Sequence, residues 1–173
     1  MKRWSKLIAL LVLVFGLINV AIGGTFVGVG VDKHGFLKSA MEQEKITLGI
    51  AVEGQALAAD EVVDTMTEAQ DAGDIVRGHR HGIAPTYGDL LGGEKFNPAD
   101  LKQLSYAQAM NIENYLYLAT ASFGLTYLSI GVGAALILAG IALLAIAIVV
   151  NLWARRTNGE KMETTPASVK VKS

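Results

Sequence analysis

Two histidines two residues apart, His79 and His81 in the hexapeptide RGHRHG, are the side chains in this chain best placed to do chemistry. A His-x-His pair can give two ligands to zinc or copper, and imidazole titrates nearest to neutral pH. A metal centre needs three or four ligands. Asp71, Asp74, Asp89 and His34 could complete one only if the fold brought them to the pair. Arg77 and Arg80 flank it, and their charge opposes a bound cation. Their expected place is a helix C-terminus, where cations meet the negative end of the helix dipole. The hexapeptide therefore reads as a solvated helix exit, with metal binding or pH sensing at His79 and His81 as the alternative. No cofactor and no enzyme activity are expected. No Ser/His/Asp grouping, phosphate loop or paired-carboxylate pattern stands out, and the absence of cysteine excludes thiolate and disulfide chemistry.

Those residues lie between two long apolar runs. Leu7 to Val31 contains no charged residue, and neither does Tyr115 to Ala154. A bilayer core needs about 20 apolar residues of helix, so both runs are expected to span a membrane. The tail before Leu7 carries Lys2, Arg3 and Lys6 without an acid, and the tail after Ala154 carries five basic residues against two acids. Residues 32–114 hold fourteen acids and seven bases. Basic residues near helix ends are retained on the cytoplasmic side. The expected layout is a basic cytoplasmic tail (1–6), a first span (7–31), an acidic extracytoplasmic segment (32–114), a second span (115–154) and a disordered cytoplasmic tail (155–173). Both termini face the cytoplasm of a cell whose plasma membrane holds the chain. Trp4 and Trp153 are expected at the inner interface, and Phe26, Phe123 and Tyr127 near the outer one. A cleaved signal peptide ending near "AIGG" competes for the first run, but the apolar stretch continues to Val31, as an uncleaved span requires.

The extracytoplasmic segment is expected to be small and helical with a minor β part. Gly35 is expected to break the chain after the first span. In KITLGIAVEG, Ile46, Leu48, Ile50 and Val52 alternate as in a short strand. Val62, Met66, Ala69 and Val76 then recur at helical spacing, with Asp60 as N-cap and Arg77–Gly78 as the exit. IAPTYGDLLGGEKF reads as a loop. In NPAD, Asn97 reads as an N-cap and Pro98 as the first position of a helix that continues into the second span. The fold class is mainly α and integral to the membrane.

GIAPTYGDLL followed by NIENYLYLATASFGLTYLSIGVGAALILAG resembles a family of small two-pass bacterial membrane proteins, mostly actinobacterial. They are often labelled aromatic-ring-opening dioxygenase subunits. The resemblance covers about residues 45–150 and implies a two-span helical fold without catalytic residues. Ring cleavage by non-haem iron needs two histidines and a carboxylate around a substrate cavity, which an arginine-flanked exported loop does not offer.

The spans carry the remaining signal. Gly16, Gly23 and Gly30 repeat every seven residues, and Asn19 sits at the edge of that stripe. In the second span Gly131, Ala135 and Ala142 fall within about 20° of Gly124 around a helix. Small residues let membrane helices approach closely, and a mid-span Asn gains from a hydrogen bond across helices. The stripes either pack on each other or dock on another subunit. The function expected is a non-catalytic accessory or scaffold subunit of a bacterial membrane complex, with an extracytoplasmic sensor or ligand-binding protein as the alternative. Partners are the bilayer and other membrane subunits or a second copy, not nucleic acid.

Overall fold

The computed structural model describes residues 2–47 and 61–163. The chain is mostly helical, in the order α1 (Lys2–Glu44), α2 (Met66–Ile83), α3 (Tyr87–Leu91) and α4 (Leu101–Glu163). Both α1 and α4 contain stretches long and apolar enough to cross a membrane, within Lys6–Glu44 and Leu101–Trp153. Only 11% and 17% of their most apolar windows are buried. A core helix of a water-soluble domain would be covered, whereas these expose leucine, isoleucine and valine along their length.

Several boundaries differ from the sequence expectation. Helix α1 passes through Gly35 without a break. One glycine costs a helix about 1 kcal/mol, and the turns beyond it bury Met41 and partly bury Leu37. The helix ends at Lys45, whose φ of 51° turns the chain away. No strand forms among the described residues; the Ile46 carbonyl accepts from Val63 N–H at 3.0 Å. The rest of the expected strand, residues 48–54, lies outside the described residues, as does Asp60.

Helix α2 is capped by Thr65, not by Asp60. Thr65 Oγ1 accepts from Glu68 N–H at 3.3 Å, and the Glu68 carboxylate accepts from Thr65 N–H at 3.0 Å, a reciprocal capping box. The helix runs past Gly78 to Ile83 and stops where Ala84, extended at φ −156°, precedes Pro85. Proline disfavours helical geometry in the residue before it, and that constraint ends α2. The expected loop holds the short helix α3, started by Thr86 and closed by Gly92 at φ 56°. Helix α4 starts three residues later than the Asn97–Pro98 reading. Asn97 to Asp100 forms a turn, and Asp100 Oδ1 accepts from Lys102 N–H at 2.8 Å as the cap. At its far end α4 continues to Glu163, so residues 155–163 are helical in place of the expected disorder.

The molecule divides into two compact units. The terminal unit comprises the chain up to Gly28 and from Gly131 onward. Within it α1 and α4 touch backbone to backbone at Gly16 with Gly140 and at Gly23 with Gly133. A Cβ added to Gly23 would stand 2.6 Å from the Gly133 carbonyl oxygen, and one added to Gly133 the same distance from that of Gly23. Ala147 is buried one heptad beyond Gly140.

The central unit, Val29–Ile130, contains the remainder. Its core joins Met41 of α1, Val63, Ala69 and Ala72 around α2, and Leu116, Ala119 and Phe123 of α4. Gly73 lets α2 lie against the Tyr117 ring, where a Cβ would meet ring carbons at 3.1 Å. Phe123 is fully buried in this core, so it is not an interfacial anchor.

Candidate functional site: an arginine–glutamate clamp

The RGHRHG segment sits inside α2, and its arginines make the contacts that cross to α4. Arg77 and Arg80 are three residues apart, so they share a helix face, and both reach Glu113 on α4. Arg80 Nε donates to Glu113 Oε2 at 2.6 Å and Arg77 Nε donates to Oε1 at 3.2 Å. Arg80 Nη2 adds a bond to Oε1 at 3.3 Å. Glu113 is 5% exposed, so one nearly buried carboxylate takes two cations. Hydrogen bonding from Arg80, helped by Arg77, holds its carboxyl below the usual carboxylate range against the opposing effect of burial. The same bond raises the already high value of the Arg80 guanidinium.

Aromatic residues of α4 frame the clamp. Arg80 Nη1 donates to the Tyr106 hydroxyl and its guanidinium lies 5.0 Å from that ring centroid. Arg77 lies 4.7 Å from the Tyr117 centroid, and the Tyr117 hydroxyl donates to Asp74. Tyr87 of α3 tilts against Tyr106 at 6.1 Å between centroids. The Arg77, Arg80, Tyr106, Tyr117, Asp74 and Glu113 contacts tie α2 to α4, and the Tyr87 ring rests against Tyr106.

The predicted metal candidates are not brought together. His79 and His81 are exposed, and His81 Nε2 lies 3.2 Å from Arg80 Nη2, a cation. Asp74 is engaged by Tyr117 and Asp89 by the Thr86 hydroxyl at 2.7 Å. His34 is on α1, 5.2 Å from the rings of both Phe123 and Tyr127. Among the described residues no group of three or more histidine, aspartate or glutamate side chains could hold a metal.

The helix-packing candidates divide. Gly16 and Gly23 are contact points in the terminal unit, and Gly30 is one in the central unit, close to the Thr126 carbonyl and Ile130. Asn19 does not reach another helix; its amide donates to the Phe15 carbonyl one turn back at 2.9 Å. Gly124 and Gly131 face open space, and Ala135 and Ala142 are exposed. The surface of α4 used by α1 is instead that of Gly133 and Gly140, because those positions meet Gly23 and Gly16 in antiparallel register. The missed residues had a signal: Gly133 and Gly140 are seven apart, as Gly124 and Gly131 are.

No family model, no curated protein and no solved structure matches this chain.

Proposed function

We propose that the chain is a non-catalytic accessory or scaffold subunit of a larger membrane assembly, with residues 7–31 of α1 and 115–154 of α4 as its two spans, both termini cytoplasmic and residues 32–114 extracytoplasmic. The observation that carries this reading is the second small-residue surface of α4. Gly131, Ala135 and Ala142 are left uncovered while Gly133 and Gly140 satisfy α1. A helix needs only one such surface for an internal hairpin, and the other suits a helix of another subunit. The clamp supports the same reading, since Arg77, Arg80 and Glu113 are spent on fixing the central unit's shape. Isolation of the tagged protein from gently solubilised membranes tests it. Other polypeptides in fixed ratio, or a second copy, are expected; a chain recovered alone as a monomer would contradict the reading.

A further inference from the structure

Within the central unit, α1 and α4 leave a groove of about 350 Å³ that neither helix fills. Val29, Leu37 and Leu125 wall it, and its floor is the close approach of Gly30 to Thr126. Its lining is overwhelmingly apolar, with Lys33 on the rim. The groove lies where the charge-free run of α1 gives way to Asp32 and Lys33. With α1 and α4 read as membrane spans, that is the level of lipid headgroups. A hydrocarbon chain at that level meets a lining that is almost wholly apolar by area.

Lys33 lines the groove and Asp32, outside the lining, is paired to it, so these two charges decide which lipid. Lys33 Nζ lies 3.3 Å from Asp32 Oδ2 and 5.8 Å from the Phe36 ring centroid, and both charged side chains are well exposed, at 62% and 73%. An exposed cation beside an exposed anion complements a headgroup with both charges. We propose that the groove seats an acyl chain of a zwitterionic phospholipid with a primary ammonium group, its phosphate at Lys33 and its ammonium donating to Asp32. The adjoining carboxylate repels a purely anionic headgroup. A quaternary ammonium has no N–H to donate.

The inference rests on the membrane reading of α1 and α4, and its test separates the two. Full-length protein is delipidated in detergent and titrated separately with phosphatidylethanolamine, phosphatidylglycerol and phosphatidylcholine, with adducts counted by native mass spectrometry. Phosphatidylethanolamine is expected to bind tightest. Lys33→Gln should weaken it by about fivefold, the worth of one interfacial cation, and Asp32→Asn should erase the preference over phosphatidylglycerol. Both side chains are exposed, so neither change threatens folding. Leu125→Trp, which fills the groove, should remove the adduct while circular dichroism stays helical. Equal binding of phosphatidylethanolamine and phosphatidylglycerol to the wild-type protein, or wild-type binding by the Lys33 and Asp32 variants, would overturn the proposal. Cell fractionation is read alongside: a protein in the membrane pellet that ignores headgroups refutes this inference alone, and a protein in the soluble fraction refutes the span reading with it.

Discussion

Glu113 is the residue on which the central unit turns. Removing one partner of a nearly buried ion pair leaves uncompensated charge, at a cost of about 3–5 kcal/mol. Arg77 is half exposed and can rehydrate, so Glu113→Ala should fall at the low end of that range and appear as a clearly lowered melting temperature. Because the folded carboxyl titrates below its ordinary value of 4.5, its stabilisation is complete above that value. It is lost as pH falls through the depressed one. The melting-temperature advantage of the wild type over Glu113→Gln should therefore be full above pH 4.5 and shrink in stronger acid. By contrast, His79→Ala with His81→Ala should leave melting temperature and metal content unchanged. A stoichiometric metal lost with the pair would restore the sensor reading. The sequence offered RGHRHG as a place of interest, but not which of its residues mattered. Histidines announce possible chemistry by type, whereas a clamp 33 residues away in sequence leaves no local mark beyond arginines at i and i+3.

At the scale of elements, the apolar periodicity made α2 legible in existence though not in extent. Met66, Ala69 and Val76 do face the core, but its valine just before the helix is Val63, not the Val62 of the expected pattern. The ends were misplaced because two local signals competed at each. Asp60 and Thr65 both suit a cap, and only Thr65 has a glutamate three residues on to close the box. Gly78 and Pro85 both suit a stop, and only proline forbids continuation. The choice of face on α4 was ambiguous for a similar reason. Gly124 and Gly131 form one heptad pair and Gly133 and Gly140 another, and only the register against Gly16 and Gly23 selects between them. Gly133→Leu should consequently disrupt the hairpin, since even a Cβ would clash with backbone that cannot move aside. Overpacking of this kind costs about 1–3 kcal/mol. The expected result is a lower melting temperature in detergent for Gly133→Leu and none for Gly131→Leu; equal effects at the two sites would reverse the assignment of faces.

For the whole molecule, length and charge distribution carried the sequence reading furthest. Two uncharged runs became two long helices that leave their apolar surface uncovered. What composition did not convey is that residues 116–123 belong to the central unit's core rather than to an isolated span. An apolar residue in α4 has the same signature whether lipid or α2 covers it. The proposed topology rests on the charge distribution and can be probed in this cysteine-free chain. A cysteine at Ser39 should react with an impermeant thiol reagent on intact cells, and one at Ser168 only after permeabilisation. The opposite pattern would invert the topology.

The most direct test of the scaffold reading compares wild type and Gly131→Leu in native electrophoresis of mildly solubilised membranes. Gly131 has open space around it within the chain, so leucine there should leave insertion and melting temperature intact and act only on whatever packs from outside. The account predicts wild-type protein in a band well above the 18.3 kDa of one chain, after allowance for bound detergent, and the variant shifted to the free chain. Wild type and variant migrating together as the same monomer would contradict it.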